Sequence, residues 1–119
     1  MRERIRDAMT GISAYEHGLA QFYHDSVVKM RGVKVWGPDF TLRSRAPTVS
    51  ITFEEMTAAT AARALGKEGI CVWDGHFYAA RAVEMLGLTG RGGLLRTGVS
   101  MYSSREDIER LLAGIARLL

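Results

Sequence analysis

The chain has 119 residues, of which 47% are hydrophobic and 24% are charged, as in one globular domain with a single core. Its net charge of +3 includes no basic block and no apolar run reaches the length of a membrane span, so neither nucleic acid nor a membrane is an expected partner. Cys71 is the only cysteine, which excludes an internal disulfide, and the charged N-terminus shows no secretory pattern. We therefore expect a single cytoplasmic domain over residues 1–119.

The first half of the chain predicts a long helix followed by two strands. Apolar residues recur every three or four positions over 5–27, which is the stripe of an amphipathic helix, and Gly32 is placed to end it. Residues 33–36 predict a short strand, and a polar loop at 37–47 follows. The sequence PTVSITF (47–53) alternates apolar and polar side chains and predicts a half-buried strand.

The middle of the chain alternates helices and strands. Thr52 with Glu55 predicts a capping box and a helix start, and Gly66 is placed to end that helix. The continuous apolar run GICVW (69–73) is typical of a buried strand, and FYAARAVEML (77–86) has helical spacing.

The last part of the chain predicts one strand and one helix. A glycine-rich turn leads into a strand over 94–101, and Ser103 with Glu106 predicts a second capping box. The apolar residues that the last helix is expected to bury are Ile108, Leu111, Leu112, Ile115 and Leu119. The order α-β-β-α-β-α-β-α predicts an α+β fold, a small sheet of three or four antiparallel or mixed strands with helices packed on one face.

Arg96 is a permanent cation in the middle of the last predicted strand. Alternation along that strand places Arg96 with Gly98 and Ser100 on one face, opposite the face that packs on helices. A guanidinium matches a carboxylate with two parallel hydrogen bonds, so this small polar face suits a small carboxylate ligand. The alternative is an arginine that extends along a sheet edge or pairs with a nearby acid, and the pattern alone favours this alternative.

The segment WDGHFY (73–78) is a second candidate site. It places Asp74, His76 and Tyr78 where a strand gives way to a helix, a common position for functional groups. The alternative is a helix entry in which Asp74 caps the helix and the aromatic rings pack on the core. The pattern leaves both interpretations open.

The remaining candidates carry weaker signals. Cys71 lies within an apolar run and is expected to be a buried small hydrophobe rather than a reactive thiol. His17 and His24 are seven residues apart, a poor metal signature, so no metal site is expected. GLTGRGG (87–93) lacks the spacing of a phosphate-binding loop and predicts a flexible turn.

Two long stretches of the chain carry a family resemblance. They are GICVWDGHFYAARAVEMLG (69–87) and LLRTGVSMYSSREDIERLLAGIARL (94–118), and the likeness extends upstream through PTVSITF. They resemble the C-terminal small domain of class V aminotransferases, which are fold-type-I pyridoxal phosphate enzymes, and most of all the cysteine desulfurase-like branch. The tail is moderately specific for the superfamily, whereas DGHFYA (74–79) is more specific for this subgroup.

The resemblance implies roles for both candidate sites. Arg96 matches the family arginine that binds the substrate α-carboxylate, which reverses the preference left by the pattern alone. Gly75 and His76 match the glycine and histidine of the desulfurase stretch RTGHHC, in which the catalytic cysteine stands at the position of Tyr78. A phenol cannot become a persulfide, and Trp73 replaces the first arginine of that stretch. The implied substrate-binding residues are Arg96 and His76, and the implied active-site loop contains Asp74, Gly75 and Tyr78.

The resemblance also implies a cofactor site outside this chain. In the family, pyridoxal phosphate forms a Schiff base with a lysine of a large domain, and no lysine here stands in a matching motif. The implied function is the substrate-binding domain of a pyridoxal phosphate enzyme, without catalytic residues of its own, inactive alone and without bound cofactor. Its implied partners are the large domain, an amino-acid substrate and a second copy in a homodimer.

The alternative is a free-standing α+β module that binds a small ligand or a protein. The two hypotheses differ in the surface that they predict. A domain that meets a large partner should leave the apolar stripe of its first helix and the Arg96 face incompletely covered. A free-standing module should have a finished surface.

Overall fold

The computed structural model describes residues 1–41 and 45–119, so part of the predicted loop at 37–47 lies outside the described residues. The helices are α1 (Arg2–Val27), α2 (Ala58–Lys67), α3 (Ala80–Met85) and α4 (Arg105–Leu118), and the strands are β1 (Val33–Trp36), β2 (Thr48–Phe53), β3 (Trp73–Gly75) and β4 (Leu94–Gly98). The predicted order is confirmed, with a 3-10 turn added at Thr89–Arg91. None of the helices in the described ranges is long and apolar enough to cross a membrane.

The four strands form one antiparallel sheet in the order β1-β2-β4-β3. In its registers Trp36 pairs with Ser50, and Ser50 pairs with Arg96. Arg96 in turn pairs with Trp73 of the edge strand β3. One row of four residues therefore crosses the whole sheet, and the predicted α+β fold with a small antiparallel sheet is confirmed.

Three helices cover one face of the sheet. Alternation along β2 turns Val49, Ile51 and Phe53 toward these helices, and each is at most 2% exposed. The helical residues of this core are Ala20, Tyr23 and Val27 of α1, Ala58, Ala61 and Leu65 of α2, and Ile108, Leu111 and Ile115 of α4. The short helix α3 lies on the opposite face, where Val83 and Leu88 bury Leu94.

The first half of α1 is not covered by this core. The apolar stripe begins at Ile5, but the buried residues of the helix begin at Ala20. Ile5, Met9 and Tyr15 are 56%, 57% and 47% exposed. The expectation of an incompletely covered stripe is confirmed.

Both predicted capping boxes are wrong in position. Thr52 stays in β2 because the β1–β2 ladder continues through it, and its hydroxyl accepts a 2.9 Å hydrogen bond from Trp36 Nε1. Helix α2 begins instead after Thr57, whose side chain caps it. Helix α4 is capped one residue later than predicted, by Ser104 with Asp107.

The apolar run at 69–73 does not form a buried strand, contrary to the prediction. Helix α2 continues past Gly66 to Lys67, and only Trp73 of the run joins β3. Cys71 lies in the irregular segment before β3 and is exposed, and Trp73 is 69% exposed on the edge strand. The prediction of a buried Cys71 is therefore wrong, since an apolar run does not reveal how much of it joins a strand.

The last two helices differ from the prediction in extent. Helix α3 is shorter than the predicted 77–86, because Phe77 and Tyr78 adopt left-handed φ angles and stay outside it. In α4, three of the five predicted core residues are buried, whereas Leu112 is partly buried and Leu119 is 54% exposed. Leu119 lies just beyond the last residue of the helix, Leu118.

Candidate functional site

Arg96 lies on the sheet face opposite the three core helices, and its side chain is exposed. Its guanidinium carbon lies 4.3 Å from the centre of the Phe77 ring, a cation–π contact. Among the ion pairs of the described residues, none involves Arg96. The aromatic ring thus supports the face of the guanidinium, while the N–H donors in its plane can bind an anion.

The segment between β3 and α3 is the second part of the site. Gly75 has a φ of +124°, and the non-glycine residues Phe77 and Tyr78 have φ of 53° and 60°. For the two non-glycine residues such backbone costs of order 1–3 kcal/mol each, and it clusters at ligand-binding sites. The Tyr78 amide donates to His76 Nδ1 at 3.1 Å and the Ala79 amide donates to the His76 carbonyl at 2.7 Å, which holds the strained turn.

The side chains of His76 and Tyr78 project from this turn. Tyr78 is fully exposed, and the two rings meet edge to face with their centres 6.3 Å apart. Because His76 Nδ1 accepts the Tyr78 amide proton, Nε2 carries the proton of the neutral imidazole. The turn therefore presents one imidazole donor and one phenol hydroxyl beside Phe77.

Asp74 lies on the other side of the sheet from Arg96. It pairs with Leu95 in the β3–β4 register, and paired residues share a face, so alternation directs Asp74 toward the helix-covered side. Of the sequence-predicted site residues, Asp74 is therefore separated from Arg96 by the sheet. Gly75, His76 and Tyr78 lie next to Phe77, whose ring contacts Arg96.

Two aromatic residues of the site were missed by the sequence interpretation. Phe77 supports Arg96, and Trp36 lies two strands away in the same row. The Nζ of Lys34 lies 3.9 Å from the centre of the Trp36 ring. Alternation alone places Lys34 and Trp36 on one face of β1, but only the pairing of β1 with β2 and of β2 with β4 reveals that this face also carries Arg96.

A separate cavity of about 340 Å³ lies on the helix-covered side and is lined in part by Tyr23, Cys71, Asp107 and Arg110. Tyr23 is 1% exposed, and burial raises its pKa to about 12, so the phenol is neutral at physiological pH. No group of three or more metal-ligating side chains occurs in residues 1–41 and 45–119. This cavity lies on the helix-covered side of the sheet, whereas Arg96 lies on the opposite face.

The geometry defines a small α+β domain with an exposed arginine on the sheet face opposite the three core helices. Comparison with known proteins gives its family: the model of Aminotransferase class-V matches residues 6–111. Since that match covers most of the chain, the chain belongs to the class-V aminotransferase family. The full-length members of this family depend on pyridoxal phosphate.

Similar proteins include several cysteine desulfurases. A probable cysteine desulfurase of Halalkalibacterium halodurans is 30% identical over 106 residues, which are 89% of this chain and 24% of that protein. A cysteine desulfurase of Pectobacterium atrosepticum is 25% identical over 107 residues, 90% of this chain and 25% of the relative. The apo structure of a cysteine desulfurase from Thermococcus onnurineus NA1 matches with a TM-score of 0.85 at 26% identity, over 98% of this chain and 28% of that chain. This chain thus spans about a quarter of the length of these relatives.

On the Arg96 face, the described residues do not by themselves provide the groups that hold pyridoxal phosphate. The sequence contains three lysines, Lys29, Lys34 and Lys67, of which Lys34 lies on the Arg96 face. Its ammonium group rests over the Trp36 ring. The one acidic residue of the described strands is Asp74, on the opposite face, so no strand carboxylate is placed to bind a pyridine nitrogen beside Arg96. A pyridoxal phosphate site at this face would therefore need residues beyond those that the structure describes there.

Proposed function

We propose that this chain is the substrate-binding C-terminal domain of a cysteine desulfurase-like class-V aminotransferase that acts on an amino acid. The observation that carries the proposal is the exposed guanidinium of Arg96, stacked on Phe77 and unpaired with any carboxylate of the described residues. A substrate carboxylate would accept two parallel hydrogen bonds from the edge of this guanidinium. The stacked ring limits the rotation of the arginine and so orients the bound anion.

The proposal requires a large pyridoxal phosphate-binding domain as a partner. Two surfaces of this chain support such a partner: the Arg96 face, and the exposed apolar stripe of α1 at Ile5, Met9 and Tyr15. The hypothesis of a free-standing module predicted a finished surface, and these exposed side chains count against it. We propose that the chain is inactive without this partner, and the homodimer expected from the family stays a prediction.

In the complete site, Arg96 would bind and orient the substrate, and the turn at His76–Tyr78 would border its side chain. Pyridoxal phosphate supplies the electron sink for the bond that breaks when it is bound to the large domain. By the resemblance of 73–78 to the desulfurase stretch RTGHHC, Tyr78 corresponds to the catalytic cysteine, and a phenol cannot form a persulfide. The sulfur-transfer step of a desulfurase is therefore not proposed for this turn, and the alternatives for a desulfurase-like enzyme are transaminase, lyase or epimerase chemistry on the amino acid.

The test uses the protein as it occurs in cells. An antibody to this domain first establishes, by immunoblot of a native extract, whether the domain belongs to a heavier chain or forms a complex with one. The purified protein is then screened with amino acids in the presence of pyridoxal phosphate. A band of this chain's own mass, without a copurifying partner, would contradict the proposal.

Substitution of Arg96 then tests its role. Arg96→Ala should lower kcat/KM by roughly 10- to 150-fold, because a hydrogen bond to a charged group contributes about 1.5–3 kcal/mol. The control is Arg81→Ala, which removes an exposed ion pair with Glu84 on α3 and should change kcat/KM by less than about twofold. An unchanged kcat/KM in Arg96→Ala would show that Arg96 does not bind the substrate.

A further inference from the structure

Both tryptophans of the chain lie in the same row of the sheet as Arg96. The strand registers align Trp36 with Ser50, Ser50 with Arg96, and Arg96 with Trp73. Residues that are directly paired in antiparallel strands point to the same face, so the four side chains share the open face of the sheet. We call these four residues the tryptophan row.

Trp73 is the immediate cross-strand neighbour of Arg96. The Cβ atoms of such a pair are about 4.5–5.5 Å apart, so the indole stands beside the base of the Arg96 side chain. Trp73 is 69% exposed on an edge strand, and the helices of this chain do not cover it. The indole therefore offers a flat apolar surface next to the anion-binding group.

Trp36 closes the other end of the row. Its Nε1 donates a 2.9 Å hydrogen bond to Thr52 Oγ1, which fixes the orientation of the ring, and Lys34 covers one side of it. Ser50 is the smallest side chain of the row and is partly exposed between Trp36 and Arg96. The short side chain of Ser50 thus leaves a depression in the row, and an indole stands at each end of the row.

We propose that the tryptophan row binds a carboxylate that carries a flat apolar ring, so that the preferred amino acid is an aromatic one. This inference rests on the proposed carboxylate-binding role of Arg96 and adds the class of the substrate side chain. The guanidinium takes the carboxylate and the indole of Trp73 takes the ring in a stacked or edge-on contact. A short polar amino acid would satisfy Arg96 but leave the indole uncovered.

Titration of the 119-residue chain with model anions tests this inference. The probes are acetate, 3-phenylpropionate and phenethylammonium, which separate the carboxylate from the ring. Binding is followed on the Nε–H signal of Arg96 by NMR, and ring contact is followed by indole emission, to which Trp36 and Trp73 are the two contributors. We expect 3-phenylpropionate to half-saturate the Arg96 signal at a concentration about tenfold or more below that of acetate, and phenethylammonium to have no saturable effect.

Two replacements of Trp73 test whether its indole causes the preference for 3-phenylpropionate over acetate. Trp73→Thr retains a strand-forming side chain without the ring, and Trp73→Leu retains an apolar side chain without the flat surface. Both should bring the half-saturation of 3-phenylpropionate close to that of acetate while acetate binding stays unchanged. The control is Tyr102→Thr, which removes an 84% exposed aromatic ring outside the row and should leave the preference intact.

The outcomes separate this inference from the proposed function. If the two anions bind equally to the unaltered chain, or if the preference survives in both Trp73 variants, the aromatic substrate class is wrong while Arg96 still binds a carboxylate. If neither anion perturbs the Arg96 signal, the carboxylate-binding role itself is contradicted, and the aromatic inference falls with it.

Discussion

Replacement of Gly93 by alanine tests the closest backbone approach beside the candidate site. Gly93 immediately precedes β4 and has a φ of +90°, a conformation that glycine adopts readily and other residues rarely. A Cβ at Gly93 would lie 2.2 Å from the carbonyl oxygen of Gly75 at the end of β3. Since that oxygen belongs to the backbone, the substitution must push β3 away from β4 and carry the turn at 76–78 away from Arg96.

The loss of stability expected for Gly93→Ala has two contributions. A left-handed φ costs an alanine about 1–2 kcal/mol, and a forced overlap adds about 1–3 kcal/mol. Gly93→Ala should therefore lower the free energy of unfolding by roughly 2–5 kcal/mol, a large part of the 5–15 kcal/mol that is usual for a domain. Gly92→Ala should show the first contribution alone, because Gly92 has a φ of +77° but its Cβ would meet no described atom within 4 Å. Gly90→Ala, with neither feature, should change stability by less than about 0.5 kcal/mol.

The assay is urea unfolding of the three variants, followed by far-ultraviolet circular dichroism. The native-state emission of Trp73, measured in a Trp36→Phe background, additionally reports a displacement of β3. We expect Gly93→Ala to be the least stable and to be the one that changes this emission. Equal free energies for Gly93→Ala and Gly92→Ala would refute the close approach to Gly75.

Two further predictions concern the core and a helix end. Burial raises the pKa of Tyr23 from 10.0 to about 12, so the stability that this phenol confers below pH 10 should fall as the pH rises toward 12, by roughly 2–3 kcal/mol. Tyr23→Phe should abolish this alkaline loss, as measured by urea unfolding on both sides of pH 10, and an unchanged pH dependence would contradict it. Ser104→Ala should lower stability by about 1 kcal/mol because it removes the cap of α4, whereas Ser13→Ala on the exposed side of α1 should not, and thermal unfolding of both variants checks the difference.

The start of α4 shows where local pattern stops being informative. Ser103 and Ser104 each precede an acidic residue by three positions, so the predicted capping box of Ser103 with Glu106 has an equivalent in Ser104 with Asp107. In the fold, Ser103 Oγ accepts the Ser100 amide at 3.0 Å, and its carbonyl accepts the Tyr15 hydroxyl at 2.6 Å. These contacts hold Ser103 in the turn before the helix and leave Ser104 as the cap. A contact with α1, 88 residues away along the chain, thus helps to decide between two equivalent local signals.

The candidate site was predictable only in part, because some of its features depend on contacts between residues that are distant along the chain. The sequence marked Arg96 as unusual and the segment at 73–78 as a strand end, because both signals depend on neighbouring residues only. It did not reveal that Asp74 faces the other side of the sheet, since its face depends on its pairing with Leu95. Phe77 was missed because its contact with Arg96 requires a left-handed turn. A left-handed turn is usually predicted from a glycine, and this position holds phenylalanine.

The sequence by itself determined the order of helices and strands, the α+β class, and the fact that Arg96 and Leu95 lie on opposite faces of one strand. Alternation is a property of a single extended segment, so no other part of the chain is needed to establish it. Only the tertiary structure decided that Trp36 and Trp73 share a row with Arg96 and that β3 is the edge strand. Strand order and register depend on which strands bury their apolar faces together under the helices. A local sequence pattern does not contain this information, because it concerns segments that are far apart along the chain.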